Sequence, residues 1–101
     1  MSAKIATLRF GIVIRPVVLY ADRIEYKGET YPLAGAHAEV AETRSGLAGR
    51  KHTTDVTITT SAGQFVWSAT GAGNNARIAH RAATRFAAAL NTAAMGATSD
   101  A

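Results

Sequence analysis

A glycine-rich segment near the C-terminal end has a residue spacing typical of nucleotide-binding proteins. Residues 71–76 read Gly-Ala-Gly-Asn-Asn-Ala, which fits the pattern G-x-G-x-x-A between a predicted strand and a predicted helix. A dinucleotide-binding fold needs a further parallel strand and an acidic residue about 20 positions on. No strand pattern follows here, and the preceding strand belongs to a predicted antiparallel hairpin. We therefore interpret the segment as a connection, with anion binding at the helix N-terminus left open.

Three arginines recur at every fourth position of the predicted C-terminal helix. Arg77, Arg81 and Arg85 therefore lie on one side of it, beside its apolar stripe. Such a row can bind phosphates or an acidic protein surface. Alternatively, it is a solvated face whose aliphatic stems cover the sheet edge, and the lack of interleaved aromatic residues favours this second interpretation.

A second basic cluster surrounds a glycine-containing loop between two predicted strands. It consists of Arg44, Arg50, Lys51 and His52. Loops of this kind can hold a phosphorylated group, although charged loops are usually only solvated. The permanent charges of this cluster and the helix arginines form the candidate interaction surface.

The other reactive side chains form no catalytic or metal-binding pattern. His37, His52 and His80 are far apart in sequence, lack the spacing of a metal-binding pair and have no cysteine companions. No nucleophile motif or suggestive pair of carboxylates is present. Most acidic residues stand beside basic ones, as surface charge balance: Asp22 with Arg23, Glu25 with Lys27, and Glu42 with Arg44. We expect a protein that is not an enzyme and binds no cofactor or metal.

Length and composition predict a single small domain. The chain has 101 residues and is 48% hydrophobic, with three Phe, three Tyr and one Trp, so its core is thin and rich in alanine. The net charge of +4 favours an anionic partner. No signal-peptide layout and no apolar run of about 18 residues is present, and cysteine is absent, so we expect a cytoplasmic protein.

Residues 1–60 contain turn signals at the spacing expected of short antiparallel strands, and one further strand follows. The predicted strands are 7–14, 17–20, 23–26, 29–33, 36–40, 53–60 and 64–68. The second and third can form one bent strand, and Lys27-Gly28 reads as a tight hairpin turn. The first strand places four apolar side chains on one face: Leu8, Phe10, Ile12 and Ile14.

Alternation also predicts the inward side chains of the later strands. Val56 and Ile58 point inward, and Phe65 and Trp67 share a face. Trp67 is interpreted first as a core residue, and as an aromatic anchor for a partner if it is exposed. Residues 45–51 read as a flexible loop.

After Gly73 the period changes to that of a helix. Asn74 or Asn75 is the predicted N-cap, and Gly96 the residue that ends the helix. The predicted buried stripe is Ile78, Ala82, Phe86, Leu90 and Ala93, widened by Ala79, Ala83 and Ala87. The domain is expected to span residues 1–96, with a disordered tail over 97–101.

Residues 22–94 resemble bacterial pleckstrin-homology-like (PH-like) domain proteins, particularly small actinobacterial ones. The resemblance is carried by residues 22–28 (DRIEYKG), 31–35 (YPLAG), 36–40 (AHAEV) and 86–94, which follow the pattern FAAxxNxAA. It implies an α+β, mainly β fold: a PH-like barrel of six or seven antiparallel strands in two nearly orthogonal sheets, capped by the C-terminal amphipathic helix.

The resemblance implies a non-enzymatic protein-interaction or scaffolding module, with self-association through a strand edge or the helix left open. The alternative is a small basic regulatory protein that binds nucleic acid or an anionic lipid surface. Cellular and phage origins are both compatible with the sequence.

Overall fold

The protein consists of seven antiparallel strands followed by one helix. The computed structural model describes residues 4–9, 15–46, 49 and 51–99. The elements are β1 (Lys4–Leu8), β2 (Val17–Tyr20), β3 (Arg23–Tyr26), β4 (Glu29–Pro32), β5 (His37–Ser45), β6 (Lys51–Thr60), β7 (Gly63–Gly71) and α1 (Asn74–Ser99). Strands β1 to β4 form one sheet in sequential order, and β5 to β7 form a second. The mainly β class with one C-terminal helix is confirmed, but the described strands leave both sheets open and form no closed barrel.

Strands β2 and β3 form a hairpin, so the interpretation as one bent strand is wrong. Val17 lies opposite Tyr26, and Leu19 lies opposite Ile24. All four side chains are buried. The chain reverses at residues 21–22 because only an antiparallel pairing places both apolar pairs on the same face of the sheet.

The turn at Lys27-Gly28 is confirmed. Both residues have positive φ angles, 51° and 77°, which is the requirement of a type I′ hairpin turn. Upstream, Leu8 ends β1 opposite Val17 and is fully buried. The predicted inward positions Phe10, Ile12 and Ile14 lie outside the described residues.

The second sheet is longer and has a regular register. Val56 and Ile58 on β6 are fully buried, as predicted, together with Trp67 on β7. The predicted loop begins after Ser45, where Gly46 and Gly49 adopt positive φ angles.

Aromatic rings connect the two sheets. The ring of Phe65 on β7 lies 4.7 Å from that of Tyr26 and 4.6 Å from that of Tyr31, measured between centroids. Such contacts stabilise beyond simple area burial. The start of β7 is therefore anchored on β3 and β4.

Helix α1 covers the core with small side chains. Its buried residues are Ala76, Ala79, Ala83, Phe86, Ala87, Leu90 and Ala94. Ile78, predicted to lead the buried stripe, is instead 58% exposed. The buried face is centred on the alanines that were expected only to widen it, because their small side chains let the helix lie close to the sheets.

Both ends of α1 differ from the prediction. The carbonyl of Gly73 accepts the N–H of Arg77 at 3.4 Å, so Gly73 occupies the N-cap position and not either asparagine. The helix continues past Gly96 to Ser99, since Ala97 still packs against the core. Residues 97–99 are thus helical and not a tail; residues 100–101 lie outside the described residues.

The side chain of Asn91 on the helix makes hydrogen bonds to the edge of β5. The carboxamide of Asn91 accepts the N–H of Ala38 at 2.8 Å and donates to the Ala38 carbonyl at 3.1 Å. These are the two bonds that an adjacent antiparallel strand would make. Asn91 therefore attaches the helix to the edge of β5 at a defined position.

We predict that Asn91→Ala lowers the free energy of unfolding by about 2 kcal/mol, because both backbone groups of Ala38 lose their partner in a partly buried place. Denaturant unfolding measures the loss. The control is Thr92→Ala on the exposed side of the helix, which should change stability little. Equal effects of the two variants would contradict the role given to Asn91.

We also predict that Lys27→Asn raises the free energy of unfolding by about 1 kcal/mol, since asparagine tolerates a positive φ better than lysine does. The same change at exposed Lys51, whose φ is not positive, should bring no gain. Thermal and denaturant unfolding of the two variants test this. A gain at both positions would point to a charge effect instead.

Candidate functional site

The row of arginines predicted on the helix is exposed, and no acidic side chain among the described residues pairs with it. Arg77, Arg81 and Arg85 all lie on the solvent side of α1. The helix contains no Asp or Glu. Among the described residues, no carboxylate lies within salt-bridge distance of any of the three guanidinium groups. Three cations therefore remain available to an external anion.

Exposed Ile78 lies beside this row. It follows Arg77 directly and precedes Arg81 by three positions and Arg85 by seven, spacings that share one side of a helix. We call these four residues the arginine face. An apolar side chain among unpaired arginines combines the two residue classes that anchor protein interfaces.

A cleft lies where the N-terminus of α1 meets strands β5 and β6. Its volume is about 360 Å³. The lining residues are Glu42, His52, Gly73, Asn74, Ala76, Arg77 and His80. The first arginine of the row therefore reaches the sheet, whereas Arg85 borders a separate groove beside β1.

The cleft contains a cluster that sequence spacing did not predict. The Nδ1 atom of His52 lies 3.3 Å from Oε1 of Glu42, and that of His80 lies 3.5 Å from Oε2. One carboxylate thus orients two imidazoles. The β5–β6 register places Glu42 and His52 on one face and would have suggested that pair, but His80 joins them only through the tertiary fold.

Within the described residues, no group of three or more His, Asp or Glu side chains is arranged to hold a metal ion. Glu42 contacts two histidines, and its charge balance with Arg44 stays a prediction. The pair of Asp22 and Arg23 is confirmed at 3.0 Å.

The loop cluster is only partly described. Arg44 and Lys51 are exposed near the tip of the β5–β6 hairpin, and Arg50 lies outside the described residues. Arg44 shares a face of β5 with Glu42, two residues closer to the tip. Arg77, on the helix, and the hairpin thus meet at the cleft.

The glycine-rich segment connects β7 to α1, and its preceding strand is antiparallel to β6, as predicted. A Cβ atom on Gly71 would lie 3.2 Å from the backbone nitrogen of Ala76 and 3.3 Å from the Cβ of Asn75. Gly71 therefore lets the first turn of the helix approach the strand.

Trp67 is a core residue and not a surface anchor, since it is fully buried. Its indole Nε1 has no hydrogen-bond partner among the described residues.

We predict that Gly71→Ala lowers the free energy of unfolding by about 1–3 kcal/mol, because the added methyl group meets backbone that must move. The matched control is Gly96→Ala inside the helix, where a Cβ meets nothing within 4 Å. That substitution should raise stability by about 0.5–1 kcal/mol. Chemical denaturation of both variants shows whether each substitution raises or lowers the free energy of unfolding. A stabilising Gly71→Ala would contradict the close approach of the first helical turn to the strand.

Comparison of the chain with protein-family models, with curated proteins and with solved structures gave no match. Over the part of the chain that the structure describes, no helix is long and apolar enough to cross a membrane. The functional conclusion therefore depends on the surface chemistry of the arginine face and the cleft.

Proposed function

We propose that this chain is a non-enzymatic, PH-like interaction module that binds an acidic protein segment through the arginine face. The observation that carries the proposal is the exposed isoleucine, Ile78, among three arginines that have no carboxylate partner within the described residues. A cytoplasmic location is part of this proposal.

The architecture supports the module interpretation. Two antiparallel sheets followed by one C-terminal helix agree with the arrangement implied by the resemblance to PH-like proteins. In such an arrangement the helix buries one side against the sheets and presents the other. The presented side of α1 is the arginine face.

Charge and apolar content together favour a protein partner. An acidic segment would pair with Arg77, Arg81 and Arg85, and an apolar side chain of that segment would cover Ile78. Single-stranded nucleic acids are usually bound with stacked aromatic rings, and no Phe, Tyr or Trp side chain is exposed among the described residues. A nucleic acid would need the charges but not Ile78.

The cleft extends this surface at the helix N-terminus. Arg77 belongs to both, and His52 and His80 line the cleft beside it. An acidic side chain that enters the cleft would meet the guanidinium group and the free helix N–H groups. The carboxylate of Glu42 repels anions that enter farther into the cleft. A partner that inserts a single carboxylate group is therefore favoured over one with a higher negative charge.

We predict that selection of a random peptide library on the protein enriches acidic sequences that contain a large apolar residue. Reversal of all three arginines (R77E, R81E and R85E together) should weaken binding of the enriched peptides at least ten-fold, and Ile78→Ser about ten-fold. The control carries the same change of charge at exposed positions elsewhere (K4E, R9E and R15E together) and should bind nearly as the wild type does.

Two outcomes would contradict the proposal. One is a selection without enrichment of acidic peptides. The other is binding of duplex DNA, RNA or anionic phospholipid vesicles that falls steeply with salt and is unaffected by Ile78→Ser. Far-ultraviolet circular dichroism of each variant separates loss of binding from loss of fold.

A further inference from the structure

The two sheets leave four edge strands among the described residues: β1, β4, β5 and β7. An edge strand exposes unpaired backbone groups, and proteins usually block them with charges, prolines, bulges or short strands. The four edges differ in whether they carry such devices.

Three of the edges are protected. Strand β1 has a register irregularity between Lys4 and Ala6 and a charged first residue. Strand β4 has only four residues and ends in Pro32. Strand β5 is occupied at Ala38 by Asn91 and carries charged side chains farther along.

Strand β7 has none of these devices. It spans nine residues, Gly63–Gly71, without a charged residue or a proline. Its register with β6 is continuous from one end to the other. Val66, at its centre, is 50% exposed.

The direction of its backbone groups follows from the register. Asn91 binds the backbone N–H and carbonyl groups of Ala38. The backbone N–H and carbonyl groups of the even-numbered residues of β5 therefore point away from β6. Hydrogen-bonded and non-hydrogen-bonded pairs alternate along both strand pairs, so the backbone groups of the even-numbered residues of β7 also point away from β6. The close side-chain contact of Thr53 with Thr70, at 3.0 Å, fits a pair without backbone bonds and supports this assignment.

The residues of β7 whose backbone groups point away from β6, called the outward residues below, are Gln64, Val66, Ser68 and Thr70. Within the described residues, their outward backbone groups have no hydrogen-bond partner.

We infer that two copies of this chain pair through antiparallel β7 strands about a two-fold axis. The pairing joins two three-stranded sheets into one sheet of six strands. This inference does not rest on the proposed function, because it uses a different surface.

One register uses all four outward residues. With the axis at Trp67, Gln64 lies opposite the partner's Thr70, and Val66 lies opposite the partner's Ser68. Four pairs that each exchange two bonds give about eight backbone hydrogen bonds. Moving the axis by one residue, to Val66 or Ser68, shifts the register by two residues and uses only three pairs.

A second copy fits this edge better than an unrelated charged segment does. The net charge of +4 makes two copies repel each other, so a like-with-like contact needs a strand that adds no charge. Strand β7 meets that requirement, whereas self-pairing of β5 would bring charged side chains together.

The test is the mass in solution, measured by size-exclusion chromatography with light scattering over a range of concentrations. The wild type should reach twice the 10.5 kDa of one chain. The combination of Q64K with T70K places like charges opposite each other at both ends and should give monomers. The combination of Q64K with T70E places opposite charges there and should restore the dimer, which identifies the register.

Val66→Pro provides a second, uncharged test. It removes an outward N–H group and no bond to β6, and proline is tolerated at such edge positions. It should therefore give monomers with an unchanged circular dichroism spectrum. A wild type that stays monomeric at the highest concentration, or a dimer that survives both Val66→Pro and the two lysines, overturns the inference.

Discussion

The carboxamide of Asn91 makes two hydrogen bonds to the backbone of Ala38, and much of the molecule is arranged around this contact. It occupies the edge of β5 and attaches the long helix to the second sheet. The helix is rotated so that Ala87 and Leu90, four residues and one residue before Asn91, are buried as well. The opposite side, with Arg81 and Ile78, is left for solvent or a partner.

The core explains why this attachment matters. Large side chains are scarce, and alanine supplies most of the helix surface that faces the sheets. Alanine permits close approach but buries little area per residue. A thin core therefore defines the relative positions of the sheets and the helix poorly. The aromatic contacts of Phe65 with Tyr26 and Tyr31, together with the polar contact of Asn91, define them more closely.

Two surfaces of the molecule, the arginine face and the edge of β7, differ in their chemistry. The arginine face combines cations with one apolar side chain, and the edge of β7 offers backbone groups without charge. The cleft in which Glu42 contacts His52 and His80 shares Arg77 with the arginine face. In that cluster one carboxylate lies within reach of two imidazoles.

Local patterns in the sequence determined the class of the fold. Alternation around Val56 and Ile58, the Lys27-Gly28 turn and the final change of period predicted strands and helix nearly where they occur, because these signals act over a few residues. The arginine row was equally visible, since helical spacing alone places its members together. The strands pair in sequential order, as successive antiparallel strands do, but their division into two sheets was decided by the tertiary structure, which no local pattern contains.

The tertiary structure also decided which side of the helix is buried. Periodicity alone could not distinguish Ile78 from Ala79 as a core position, because each lies on a plausible apolar stripe. The choice depends on how closely the helix approaches the sheets, and the small alanine side chains permit the closer approach. Likewise His80 reaches Glu42 only after α1 folds back along β5. What the sequence specified was therefore the set of elements and their charges; packing selected the faces on which those charges act.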